Sequence, residues 1–316
     1  MTGNVDISAI VPIGGRYDDS GELVSSYFKE LAGTGKNFEL ICVVDGERED
    51  ITDQILELAA SEKQIRLIQL AKEFGEATAI TAGLQYSSGR VILTLPAYYQ
   101  IKPTEVRKLI DELNTSDVAV GTRWPRSSKS KFETMRRNLF HWLVGFVTGE
   151  RFSDLGCGAR AVNRAVLDEL PLYGDQHRFL PILAAQRGFQ VSEINVAQSE
   201  LDRNEQGYGP RIYLRRLLDI FSMFFLVRFT KKPLRFFGTI GSVTFLAGAV
   251  ILSLVVGEKI FLGSPLADRP ALLLSSLLVV LGLQLFALGL LGELIIFTHA
   301  REIKEYSVEK VVNQED

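Results

Sequence analysis

The stretch DISAIVPIGGRYDDSGELVSSYFKELAGTGKNFELICVVDG, Asp6 to Gly46, decides the fold. Its flanks are short β-branched runs, VDISAIVP at 5–12 and NFELICVV at 37–44. Between them DSGELVSSYFKEL sets Leu23, Val24, Tyr27, Phe28 and Leu31 on one helical face, with Asp19 or Ser20 as N-cap. The alternation continues. Strand-like runs recur at 65–70, 91–95 (VILTL) and 117–121 (DVAVG), separated by the helical patterns DITDQILELAA, EATAITAGLQY and PTEVRKLIDEL. Strands alternating with helices make a mostly parallel sheet covered on both faces, so the fold class is α/β. Such sheets bind ligands beyond the carboxyl ends of their strands. The informative residues are therefore the strand exits, from Pro12, Asp45, Pro96 and Gly121 onward.

The rest of the chain bounds the class. A net charge of -3 over 316 residues gives no reason to expect nucleic acid. Two cysteines, Cys42 and Cys157, make no disulfide framework, which suits a reducing cytoplasm. His141, His177 and His299 lack metal-ligand spacing, so no zinc site is expected. The opening MTGNVDISAIVP has no charged segment followed by an apolar one, so no cleavable signal peptide is expected. Two apolar runs, about 236–256 and 271–297, have the length of membrane spans. They flank a short polar hairpin, GEKIFLGSPLADRP at 257–270. Arg211, Arg215, Arg216, Arg228, Lys231, Lys232 and Arg235 precede the first run, and Arg301 and Lys304 follow the second. The positive-inside rule places both termini in the cytoplasm, the hairpin outside, and the chain as a multi-pass protein of the inner membrane. YLRRLLDIFSMFFLVRFTKKP mixes basic and large apolar residues, as expected of an amphipathic helix lying in the membrane interface.

Read in order, the chain shows strand-VP, strand-VDG, FG-x-x-x-A-x-x-AGL, a strand ending in LTLPAYYQ, G-x-R, D-x-GCG-x-R-x-x-x-R, HRFLP and two spans. This set resembles the membrane-bound polyprenyl-phosphate glycosyltransferases of family 2, the dolichol-phosphate mannose synthase-like group. The resemblance covers nearly the whole chain. It implies a cytoplasmic GT-A domain at 1–209, a juxtamembrane region at 210–234, two spans within 235–298 and a cytoplasmic tail at 299–316. It implies an inverting hexosyl transfer from a UDP- or GDP-linked sugar to polyprenyl phosphate, in cell-surface glycan assembly. A homo-oligomer or a partner glycan enzyme is compatible with it. By resemblance, Pro12, Asp45, Gly75, Gln100 and Arg203 are donor-binding residues. Arg136 and Arg137 match the region expected to bind the acceptor phosphate, with Arg126, Lys129 and Lys131 in the loop before them. Asp154 matches an acid at the sugar end of the site, with Gly156, Gly158, Arg160 and Arg164 following, and His177 and Arg178 open a helix facing the same region.

The sequence departs from the pattern at four places. The first of two successive acids after the second strand is Val44 here, leaving Asp45 as either a ribose or uracil partner or a turn residue. The aromatic and amide expected after the first strand are Gly14 and Gly15. Most important, the family's Asp-x-Asp-x-Gln, which holds Mg²⁺ or Mn²⁺, is replaced. Its acids stand at Pro96 and Tyr98, and only Gln100 is retained. Hard divalent ions want oxygen ligands, chiefly carboxylates, and a neutral phenol does not substitute for one at neutral pH. No metal cofactor is therefore expected. The late phosphate-contacting motif is also reduced, with Arg203, Gly207 and Tyr208 kept and its Lys missing. Two readings stay open: an enzyme in which cations such as Lys102, Arg123, Arg178 or Arg203 replace the metal, with Asp154, Arg123 and Arg178 as its catalytic residues, or a catalytically silent membrane-anchored scaffold or partner subunit.

Overall fold

The computed structural model describes residues 5–15, 20–125, 145, 149–150, 152–170, 177, 179–202, 233–262 and 270–299. They fall into two compact units, one within 1–215 and one within Arg216–Lys304.

In the first unit, β1 (Ile7–Ile13), α1 (Ser20–Ala32), β2 (Phe38–Val44), α2 (Glu49–Ser61), β3 (Ile65–Gln69), α3 (Glu76–Gln85) and β4 (Val91–Thr94) follow the expected alternation. A single 3₁₀ turn at Pro103–Glu105 leads into α4 (Val106–Glu112), and β5 spans Val118–Arg123. Then come β6 (Arg160–Asn163), α5 (Arg164–Glu169), α6 (Leu180–Gln186) and β7 (Val191–Val196). The seven strands lie in the order β3-β2-β1-β4-β6-β5-β7, all parallel except β6, which runs antiparallel to both neighbours. No strand is expected from the sequence in the segment that follows the glycines, and β6 is the addition the structure makes there. Because β6 runs backwards, Arg160 sits at the carboxyl edge of the sheet and Arg164 at the opposite edge, bonded to the Gly89 carbonyl and Ser87.

The period of two sorts the strand residues onto two cores. Ala9, Val11, Leu40, Cys42 and Leu93 meet Leu23, Tyr27, Leu31, Ile55 and Leu109 of α1, α2 and α4. Ile10, Ile41, Val43, Ile92, Val118 and Val162 meet Ala79 of α3, Val166 of α5, and Leu180 and Ala184 of α6. Burial pushes the Cys42 thiol up to about 12, and burial with Asp154 nearby pushes that of Cys157 up to about 11. Pro12 lies inside central β1, paired with Val43 of β2. A proline there is tolerated because its nitrogen faces β4, whose ladder with β1 ends at Ile10 and Thr94. The strand therefore runs one residue past the proline, to Ile13.

In the second unit, α7 (Pro233–Leu262) and α8 (Pro270–His299) are each long and apolar enough to cross a membrane. The expected polar hairpin is shorter than residues 257–270, because α7 continues through Gly257 to Leu262. The two helices pack antiparallel through glycines. A Cβ on Gly282 would stand 2.4 Å from the Phe245 nitrogen, and one on Gly241 2.7 Å from the Gly282 oxygen. Glycine is needed where helix backbones approach this closely. Glu293 of α8 accepts from the Leu234 N–H at 3.4 Å, which serves an orphan donor in the first turn of α7. The amphipathic segment at 213–233 falls almost wholly outside the described residues.

Two predictions follow from the amino edge of the sheet. A Cβ on Gly89 would lie 2.5 Å from the Ser8 nitrogen, a backbone atom that cannot rotate away. Gly89→Ala is expected to lower stability by about 1–3 kcal/mol, read from thermal unfolding in detergent. Beside it, buried Glu39 accepts from Ser8 Oγ at 2.6 Å, the Ser88 N–H at 2.6 Å and Arg66 Nη1 at 2.9 Å. Burial opposes its charge, but these donors outweigh burial and hold its carboxyl below the usual range. The fold thus prefers ionised Glu39 more than the unfolded chain does. Its contribution is complete above the ordinary carboxylate range and is lost as pH falls through the lowered value. Glu39→Gln is expected to flatten the acid limb of a stability-versus-pH series.

Candidate active site

The carboxyl edge of the sheet collects the strand exits, and β4 stops first. After Thr94 the chain LPAYYQ turns under three neighbours. Tyr27 of α1 donates its hydroxyl to the Pro96 carbonyl at 3.1 Å, and burial holds that phenol protonated by raising its pKa. Thr94 Oγ1 donates to the Gly158 carbonyl at 3.0 Å. Gln100, fully buried, does the most. Its Nε2 donates to the Tyr98 hydroxyl at 2.6 Å and the Gly156 carbonyl at 3.1 Å, while its Oε1 accepts from the Gly158 N–H at 2.7 Å. The amide therefore clasps the β4 exit to the Asp154–Gly158 turn. The glycines there admit side chains at close range: a Cβ on Gly156 would lie 3.3 Å from Arg123 Nη2, and one on Gly158 3.5 Å from Gln100 Oε1.

The same turn carries a buried ion pair. Arg123, the last residue of β5, donates through Nε to Asp154 Oδ2 at 2.7 Å and through Nη2 to Oδ1 at 2.9 Å. The Gly156 N–H adds a third donor to Oδ1 at 3.2 Å. Side-chain exposures of 8% for Arg123 and 2% for Asp154 mean that water screens the pair little. Burial would lower the Arg123 pKa, but the hydrogen bonds and charge of Asp154 outweigh that and raise it. Asp202 also approaches Arg123 Nη1, at 3.7 Å, and accepts from Gln198 at 2.8 Å. Residues 31 and 79 positions away thus share one guanidinium.

This changes how the expected site residues are read. Asp154 and Arg123 do come together, but as partners. Breaking a buried pair costs about 3–5 kcal/mol, so Arg123 is held against Asp154 and not available to a leaving diphosphate. Lys102 is half exposed and 3.5 Å from Glu200. Arg160 bonds the His177 and Leu155 carbonyls. The His177 ring is buried, its Nε2 3.4 Å from Glu76 Oε2. At the β2 exit, Asp45 accepts from the Phe74 N–H at 2.7 Å and the Gly75 N–H at 2.8 Å. It is more than a turn residue: it pins the loop that opens α3. Gly75 adopts φ 97° there, a conformation glycine accepts without strain. Arg178, Arg203, Gly207, Tyr208, Arg136, Arg137, Arg126, Lys129 and Lys131 lie outside the described residues.

The β4 exit does not fit a divalent ion. Pro96 presents only a carbonyl, already bonded to Tyr27, and Tyr98 presents a phenol bonded to Gln100. Among the described residues, no three His, Cys, Asp or Glu side chains cluster to hold a metal. Asp202 and Phe74 were not singled out by sequence. Asp202 directly precedes Arg203, and Phe74 directly precedes Gly75, and neither residue type carries a signal of its own there.

Residues 8–170 match the family model described as glycosyl transferase family 2. The chain is 30% identical over 317 residues to an undecaprenyl-phosphate 4-deoxy-4-formamido-L-arabinose transferase of Edwardsiella ictaluri, covering 98% of this chain and 96% of that protein. It is 25% identical over 306 residues to a dodecaprenyl-phosphate galacturonate synthase of Rhizobium johnstonii, covering 95% and 90%. Among solved structures, glucosyl-3-phosphoglycerate synthase of Mycobacterium tuberculosis in complex with uridine-diphosphate superposes with a TM-score of 0.52 at 15% identity, over 70% of this chain and 79% of that one. That likeness shows the shared GT-A fold. With a matching family model over half its length and relatives along nearly all of it, this chain belongs to glycosyl transferase family 2, the glycosyltransferases.

Proposed function

We propose that this protein transfers a sugar from a nucleotide-linked donor to polyprenyl phosphate at the cytoplasmic face of a membrane, for cell-surface glycan assembly, without a carboxylate-held metal. One observation carries the reading: the match to polyprenyl-phosphate transferases spans sheet and apolar helices together, 95% of this chain and 90% of the galacturonate synthase. The basic residues flanking α7 and α8 support a topology with both termini in the cytoplasm.

The chemistry required is a displacement at the anomeric carbon. A phosphate oxygen of the acceptor forms the new C–O bond, the bond to the nucleoside diphosphate breaks, and configuration inverts. The acceptor phosphate is already ionised near neutral pH, so no strong base is needed. The role of Asp154 is orientation. Bonded to Arg123 and the Gly156 N–H, it fixes the glycine turn whose backbone lies at the sugar end of the site. Charge on the leaving diphosphate is balanced by Arg178, Arg203 and Lys102, and the acceptor phosphate is held by Arg136 and Arg137. A silent scaffold is the competing reading, favoured by the replaced acids at Pro96 and Tyr98 together with the altered donor contacts at Gly14, Gly15, Val44 and the late motif.

The deciding experiment incubates the detergent-solubilised full chain with undecaprenyl phosphate and a panel of UDP- and GDP-sugars, with and without EDTA. The expected result is a lipid-linked sugar, seen by mass spectrometry, whose yield chelation leaves unchanged. Absence of any product together with no donor binding by calorimetry would establish the scaffold instead. Abolition by EDTA would sink the metal-free part. A second expectation concerns the clasp. Gln100→Ala removes two hydrogen bonds to the Asp154 turn and one to Tyr98, and a displacement near 1 Å there is expected to lower kcat/KM by about 100-fold.

A further inference from the structure

Resting on the reading of a nucleotide-linked donor, we propose that Phe74 is the platform on which the donor's base stacks, and that Asp45 is the positioning residue that holds it there. Three strand exits converge at this point. The β2 exit supplies Asp45, whose two carboxylate oxygens take the Phe74 and Gly75 N–H groups at 2.7 and 2.8 Å. The β3–α3 loop supplies Phe74 itself. The β1 exit supplies Gly14, whose missing Cβ would lie 3.5 Å from Asp45 Oδ2, and Gly15, which has nothing within 4 Å of its missing side chain. Neither described glycine of the β1 exit carries a side chain, so the aromatic surface held by Asp45 at this edge is that of Phe74.

Phe74 is not disposed as a core residue. It is 50% exposed, and its backbone N–H is held by a charge-assisted hydrogen bond to Asp45. Lys72 stands with its ammonium 5.2 Å from the ring centroid, steadying the ring and placing positive charge beside it. A flat π surface next to a cation matches a base joined to phosphates. It is sequence-tolerant in the way aromatic platforms are, since every base has a π-face. The position also fits the opposite end of the ligand. From β2 to β6 the edge crosses three strand spacings, about 14 Å, so Phe74 and the Asp154 turn lie at two ends of an extended donor.

The test uses the full chain in detergent, with UDP, GDP and inorganic pyrophosphate as probes in calorimetry. Phe74→Leu keeps an apolar side chain without a π-face and is expected to weaken nucleoside diphosphate binding by about 5- to 150-fold, the range base stacking is worth. Phe74→Tyr is expected to stay within about 3-fold of the native chain. Pyrophosphate affinity is expected to be unchanged in both, and Phe74→Trp should gain emission that UDP or GDP quenches. Native-like nucleotide affinity in Phe74→Leu overturns the inference and leaves the proposed transfer standing. So does a parallel loss of pyrophosphate binding, which would mark Phe74 as a loop support only. If the native chain binds neither nucleotide, the donor reading and this inference fall together.

Discussion

The side-chain amide of Gln100 is the contact on which this edge of the molecule depends. β4 is only four residues long, and beyond it the chain must turn beneath a glycine-rich segment that belongs to another strand. An amide can donate twice and accept at once, which is what joining Tyr98, Gly156 and Gly158 demands. With that join made, Asp154 is carried to Arg123, and Arg123 to Asp202. A carboxylate at position 100 could not donate to the Gly156 carbonyl, and an alkyl group would leave buried polar atoms unserved. The retention of Gln100 beside two replaced acids has a structural cause: it is architecture as much as ligand contact.

Much of the fold was legible because its first half is regular. Five strand runs separated by amphipathic helices point to a mostly parallel sheet, though not to its strand order, and β1 to β5 lie where β-branched residues cluster. β6 was not legible. Arg160–Asn163 is four residues long, begins with a charge, and follows three glycine-spaced positions that read as loop. Its antiparallel direction reverses the meaning of the two arginines, and no local pattern announces direction. The candidate site was legible as residue types but not as partnerships. Arg123 and Asp154 were each marked, yet a pairing between residues so far apart depends on β5 and the glycine turn meeting, which only the sheet order decides. Asp45 was balanced between turn and ligand. Two backbone N–H groups from the next loop account for its burial, and neither carries a sequence signal.

The α7–α8 pair shows a different kind of legibility. Apolar length revealed both helices, but their ends were blurred because Gly257 and the charged Glu258 and Lys259 resemble a loop. A helix already begun extends past such residues, since each added residue gains a hydrogen bond at small cost. The glycines that would count against a helix in water serve here as contact points between helices.

The two thiols described within the sheet core have a practical corollary. Cys42 and Cys157 are buried and held protonated, so maleimide reagents find no native thiolate in the folded chain. The protein is in effect a cysteine-free background for site-directed labelling. A cysteine introduced into the α7–α8 connection, or into the tail after His299, would report from which side of a sealed vesicle it is reached.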